Sequence, residues 1–394
     1  MMEVARTDRS VIARWWRTVD RWMLLAILLL AGAGAILVAA ASPAVADRIG
    51  LDSFHFVRRQ IIFLVSAVTL MIGLSLLSPL SVRRLASIGF VGALVLLIAT
   101  VVVGPDIKGA TRWLLVGGFV LQPAEFIKPA FAVVAAWMLA EQGRHRDFPG
   151  MAITVGLAAF VIAILMMQPD VGMSLVIGAV WFAQVFIAGL PLILVVVLAF
   201  VGVAVAAGAY AAFPHVASRI DRFLDPSSGD SFQVEAALSA FGNGSLFGRG
   251  PGEGIVKTIL PDAHSDFIFA VAGEEFGLLV SLAIIGLFAF VVLRGLLRLL
   301  GESDLFVLLA CSGILAQVGL QAVINMGVNM RLLPAKGITL PFISYGGSSM
   351  LGLAIGMGVV LALTRKRAGR DPAGALRPPN DPRHSLAVTA GVVR

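Results

Sequence analysis

Apolar runs of about 20 residues recur along almost the whole chain, separated by shorter polar stretches. That is the length a helix needs to cross a bilayer. Hydrocarbon contains no water to pair with exposed backbone, so each run is predicted to be a helix that satisfies its own N–H and C=O groups. The alternating pattern of a transmembrane β-barrel is absent. The runs place ten spans at 22–42, 60–79, 86–104, 123–141, 150–167, 171–188, 191–213, 267–293, 305–325 and 343–364. The predicted fold class is all-α, a polytopic integral membrane protein of ten helices. The first run has arginines before it and "SPAVAD" after it, like a leader peptide, but it is longer than a leader's apolar core and reads as a retained helix.

Composition agrees with the pattern: 59% of the 394 residues are hydrophobic and 13% charged, against about a quarter charged in a soluble domain. The net charge is +7. The cations lie between apolar runs rather than on a soluble domain, which argues against nucleic acid as a partner and makes them topology signals. Arg6, Arg9, Arg14, Arg17 and Arg21 share a side with Arg83, Arg84, Arg144, Arg146, Arg294, Arg298 and the cluster after 364. Both termini are predicted cytoplasmic. Segment 1–21 is the cytoplasmic N-terminal segment, 22–364 the membrane domain, and 365–394 a proline-containing cytoplasmic tail expected to be disordered. One long connection, 214–266, falls on the outer side, with helix-like content over 232–241 and then "GRGPGEG". That glycine run lacks the GK[ST] ending of a phosphate loop. The single cysteine, Cys311, can form no internal disulfide, and no metal signature is present.

Ionisable residues in or beside spans are functional candidates. Five segments put them at the outer face: Arg112 in "TRW", Glu125 and Lys128 in "QPAEFIK", Asp170 in "QPD", Asp266 in "HSDF" and Lys336 in "PAKG". Each also has a plainer reading. Glu125 and Lys128 stand at i and i+3 and suit an ion pair; Asp170 and Asp266 suit helix caps; Lys336 suits snorkelling to the interface. Arg249 sits in the glycine-rich turn, where it suits an anion. His264 is the one histidine placed at a site, with Ser265 beside it. Glu274 and Glu275 follow Asp266 on the same predicted helix, about 12–14 Å deeper, and serve equally as structural pairs or as support for the site.

Together "ATRWL", "QPAEFIKPA", "QPDVGMS", "GSLFGRGPGEG…LPDAHSDFIFAVAGEEFG" and "LLPAKGITLPFISYGGSS" resemble the SEDS family (shape, elongation, division and sporulation) over roughly residues 20–365. The lysine of "PAKGITLP" and the stretch "KGATRW" are more similar to the FtsW-like division branch than to the RodA-like elongation branch. The resemblance implies a peptidoglycan glycosyltransferase of the bacterial cytoplasmic membrane, at the division septum. Lipid II, a disaccharide-pentapeptide on undecaprenyl diphosphate, would be its substrate. A class B penicillin-binding protein and other division proteins would be its partners. The family's essential acidic residue falls on Asp266, here the proposed general base. Arg112, Glu125, Lys128, Asp170, Arg249, His264 and Lys336 are the expected substrate-binding residues. No cofactor is implied, and a divalent cation is compatible with the diphosphate. Two rival readings are a lipid II flippase, for which Glu274, Glu275 and Lys128 would line a polar path, and a RodA-like elongation polymerase.

Overall fold

This computed structural model describes residues 10–106, 110–189, 192–212, 214–225, 232–334 and 337–365. The first helix, α1 (Val11–Thr18), is capped by Ser10, whose Oγ accepts from Ala13 N, and belongs to a small unit of residues 1–19 and 365–394. The second unit, Asp20–Thr364, carries everything else. It runs through α2 (Arg21–Arg48), α3 (His55–Ser75), α4 (Pro79–Val103), a hairpin of β1 (Leu114–Val116) and β2 (Phe119–Leu121), α5 (Pro123–Arg144), α6 (Gly150–Met167), α7 (Val171–Ile187), α8 (Leu192–Ala212), α9 (Pro214–Leu224), α10 (Phe232–Gly244), α11 (Val256–Ile259), α12 (Ile268–Leu299), α13 (Leu305–Asn329) and α14 (Gly347–Leu363).

Among the described residues, seven helices are long and apolar enough to cross a membrane. The shorter apolar α7 and α14, with the 21-residue α8, complete the ten expected spans. One boundary moved where a cap outweighs the apolar pattern. α4 begins at Pro79 rather than near 86, because Ser78 caps it and proline suits the first helical position. The hairpin was not expected: Gly117 and Gly118 take φ of 57° and 80°, as a tight two-residue turn requires.

α5 and α13 form the interior. In their most apolar windows 83% and 72% of residues are buried, against 50% or less in the other five long spans. α14 closes on them through glycines: a Cβ on Gly352 would meet the Glu125 carbonyl oxygen at 2.5 Å, and one on Gly356 would meet Ile314 of α13 at 3.0 Å. At the end of α12 remote from Asp266, the buried Asp20 caps α2 and takes Arg294 and Arg298 as ion-pair partners.

The span carrying Glu274 and Glu275 is not one continuous helix. Gly277, at φ 78° and ψ −175°, interrupts α12. In a continuous helix Leu278 and Leu279 N–H would donate to the carbonyls of Glu274 and Glu275. Instead they donate to Ser245 O (2.9 Å) and Leu246 O (3.3 Å), while Glu274 O and Glu275 O accept from Arg249 N and Gly250 N, both at 3.0 Å. The glycine-rich loop is thus spliced into the break and replaces both of these backbone bonds, as a break in an apolar span demands. The 22 residues of 278–299 reach about 33 Å and cross a bilayer unaided. The piece before the break, 268–276, is almost wholly buried in protein.

Candidate active site

Asp266 stands in the turn just before α12. It does not cap that helix: the cap position is Phe267, with no side-chain cap hydrogen bond. The plainer reading of this carboxylate therefore fails. Asp266 is half-buried, and its Oδ2 lies 3.2 Å from where a Cβ on Gly337 would stand. Its carbonyl accepts from Asn325 Nδ2 and Asn329 Nδ2, each at 2.9 Å.

The segment from Gly337 to Ser349 draws the expected outer-face residues together. Ser344 Oγ donates to Ser265 O (2.6 Å), and Tyr345 N donates to His264 O (2.9 Å), fixing it to the Asp266 turn. Ser348 Oγ accepts from Gln122 N (3.0 Å), fixing it to the start of α5. Ile338 packs where a Cβ on Gly172 would stand, in the first turn of α7 and two residues from Asp170. Asp170 takes the cap role expected of it and also pairs with Arg112. Its Oδ1 caps α7 at Met173 N (3.2 Å), and its Oδ2 faces Arg112 Nε at 3.7 Å. Arg112 Nη2 also donates to Pro169 O.

Other expectations are corrected. Glu125 and Lys128 form an ion pair at 2.8 Å but are 2% and 0% exposed, so substrate cannot touch them in this conformation. The contact is not aligned as a hydrogen bond, and Lys128 Nζ has no hydrogen-bond partner among the described residues. α14, arriving over Gly352, seals the pair in. His264, expected to bind substrate, is buried instead: it packs in an aromatic cluster with Phe56 (4.3 Å between ring centres) and Tyr345 (5.2 Å), and burial pulls its pKa down to about 4. Burial likewise raises the Tyr345 phenol.

Arg249 is exposed and bonded through its backbone to Glu274, about 12 Å along the helix from Asp266; the described contacts do not join it to that residue. Glu274 and Glu275 do not support the site directly either. Glu274 accepts from Ile255 N (3.0 Å) and Val256 N (3.0 Å), and Glu275 from Gly252 N (3.0 Å) and the Lys257 ammonium. They hold the spliced loop. Lys336 lies outside the described residues. No three His, Cys, Asp or Glu side chains gather to hold a metal ion among the described residues.

Asn325 and Asn329 were missed. Their signal is legible in retrospect: Gln317, Gln321, Asn325 and Asn329 recur every fourth residue in an otherwise apolar span, a buried polar stripe on one helix face.

The family of cell cycle proteins that comprises FtsW, RodA and SpoVE matches residues 21–369, the whole membrane domain. The chain belongs to the FtsW/RodA/SpoVE family. This member is similar to the probable peptidoglycan glycosyltransferase FtsW of Caulobacter vibrioides, with 46% identity over 366 residues covering 93% of this chain and 94% of that one. It is also similar to the protein of the same name from Thioalkalivibrio sulfidiphilus, with 37% identity over 90% of this chain and 91% of that one. Among solved structures, it matches a chain of a peptidoglycan synthase complex that coordinates polymerization and crosslinking, with a TM-score of 0.71 and 27% identity over 88% and 97% of the two chains. The rod shape determining protein RodA of Thermus thermophilus gives 0.64 and 27% over 89% and 97%. In this FtsW/RodA/SpoVE protein, then, the turn before α12, the entry to α7 and the segment before α14 meet at one end of the bundle, around a carboxylate that does not cap α12.

Proposed function

We propose that the chain polymerises lipid II into glycan strands at the outer face of the bacterial cytoplasmic membrane, for septal wall synthesis in cell division. The single observation that carries the reading is Asp266, an acid at the mouth of the bundle whose backbone is clamped and whose carboxylate does not cap α12. The names of the FtsW relatives support both the reaction and the division role.

Chain growth joins a sugar hydroxyl to an anomeric carbon while diphosphate leaves. The hydroxyl is a weak nucleophile, and a carboxylate in hydrogen-bond reach that takes its proton is worth about 10²–10⁴-fold. Asp266 has that role here. An α-linked donor giving a β-linked polymer inverts the centre in one displacement and needs no covalent enzyme intermediate. The departing diphosphate is anionic and is met by cations. Arg112 and Lys336 are assigned to it: Arg112 pairs with Asp170, two residues before the Gly172 position that faces Ile338, and Lys336 directly precedes Gly337, whose side-chain position faces the Asp266 carboxylate. The lipid tail runs along the apolar spans, so the enzyme is built in the membrane where its substrate is anchored. A class B penicillin-binding protein supplies crosslinking, in keeping with the likeness to a synthase complex in which polymerization and crosslinking are coordinated. Both termini are cytoplasmic by the positive-inside rule. The transport reading loses its proposed path, since Glu274, Glu275 and Lys128 are all bound to protein partners.

The test is purified protein with its penicillin-binding partner and labelled lipid II in detergent, where no flipping is needed. Wild type yields a glycan ladder on a gel, and Asp266→Asn and Asp266→Ala yield none while remaining folded. A folded Asp266→Ala protein that still polymerises overturns the mechanism. A folded wild-type complex that makes no chains yet moves lipid II across vesicles favours transport.

A further inference from the structure

Asn325 and Asn329 lie four residues apart on the last turns of α13 and project to one face. They are 2% and 0% exposed. Asn325 Nδ2 donates to the carbonyls of Asp266 (2.9 Å) and Ile338 (2.8 Å). Asn329 Nδ2 donates to the same Asp266 carbonyl (2.9 Å), and its Oδ1 accepts from Ala270 N (3.0 Å). The amide orientation of Asn329 is fixed by chemistry. A carbonyl needs a donor and an N–H needs an acceptor, so flipping the amide breaks both bonds at once.

Asp266 C=O and Ala270 N–H stand at i and i+4, the pair that would close the first turn of a helix begun one residue earlier. Asn329 is inserted between them. That insertion keeps Asp266 outside α12 and occupies its carbonyl from the α13 side, with Asn325 on the same oxygen. Asn325 also reaches Ile338, the residue after the glycine whose side-chain position faces the Asp266 carboxylate. One side chain therefore sets the spacing between the acid and the segment that follows Lys336.

We infer that Asn325 and Asn329 are positioning residues for the reaction: they set where the Asp266 carboxylate stands without touching substrate. The inference rests on the reading of Asp266 as the base. Both amides hold Asp266 by its carbonyl, so each acts on the acid through backbone. A displacement of about 1 Å at a reacting group can cost about 10²-fold in rate.

The experiment uses the full chain with its penicillin-binding partner and labelled lipid II. Asn325→Ala and Asn329→Ala are compared with Asn325→Ser and Asn329→Ser, which are gentler on folding, and rates are expressed per folded molecule. The expected result is a loss of kcat of about 10²-fold for alanine, with KM for lipid II within about twofold of wild type and serine falling between. Wild-type kcat in the folded serine and alanine variants overturns the inference, as does a loss confined to KM. Asp266→Asn serves as the control. If it still polymerises, the reading of the base fails; if it is dead while the asparagine variants are fully active, the positioning role fails alone.

Discussion

Lys257 and Glu275 form an ion pair sealed beneath the glycine-rich loop, with side chains 7% and 0% exposed. The same ammonium donates to Gly252 O (2.8 Å) and to Ala40 O of α2 (3.0 Å), so one cation joins the first span, the glycine-rich loop and the broken α12. Removing one partner of such a pair strands the other charge and costs about 3–5 kcal/mol. Lys257→Met and Glu275→Gln each lower the thermal midpoint in detergent, while the double variant loses clearly less than the sum. Simple additivity in that cycle would contradict the pairing.

Gly277 admits no side chain. Its φ of 78° disfavours any other residue, and a Cβ there would meet Leu246 O at 2.5 Å. Gly277→Ala pushes the loop out of the break and leaves backbone groups on both sides unpaired, at about 1–3 kcal/mol each. Limited proteolysis between residues 245 and 255 should become much faster than in wild type; unchanged cleavage would mean the splice tolerates a methyl group.

His264 makes stability depend on pH. Its folded pKa is about 4, against an ordinary value near 6.5, because burial disfavours the charged ring. Between these values the unfolded chain takes a proton that the folded one refuses, so stability is full above about 6.5 and declines as pH falls toward 4. The loss is on the order of 2–3 kcal/mol. Thermal midpoints at pH 7 and pH 5 measure it, and His264→Phe, which fits an aromatic cluster, should flatten the difference.

Glu125 and Lys128 offer a cleaner separation of structure from chemistry. Glu125→Gln alone leaves an ammonium buried and destabilises by about 3–5 kcal/mol, whereas Glu125→Leu with Lys128→Met recovers most of that. Glycan synthesis by the folded double variant at near wild-type rate is the expected result, since the pair is closed to substrate. A folded but inactive double variant would restore the substrate-binding role.

Much of the architecture was legible because a membrane leaves few options: long apolar runs become helices, and all ten spans appear, within about four residues of the expected ends except at the end of α2, the starts of α3 and α4 and the end of α12. Local rules misled only where a second rule was present and unread, as with Ser78–Pro79 or the Gly117–Gly118 turn. The site was legible in part. Asp266, Asp170 and Arg112 carry charges at the ends of spans, and charge in an apolar sequence is conspicuous. What those charges touch is set by segments far away in the chain. Glu274 and Glu275 looked like acids deep in a helix, because the break at Gly277 depends on a loop about 30 residues earlier that no local pattern reveals. His264 looked like a site histidine because its neighbours in sequence are polar, while its neighbours in space, Phe56 and Tyr345, are aromatic.

The splice at Gly277 has a mechanical consequence. An ordinary surface loop hangs from its two ends and moves freely of the helices beneath it. Here residues 245–250 are hydrogen-bonded across a joint in α12, so the loop and the lower span are one linkage. Traction on that loop bears directly on the joint, and the short rod on its other side, 268–276, begins two residues after Asp266. The lever arm from joint to carboxylate is about 15 Å, long enough for a small change of bend to move the acid by more than a bond length.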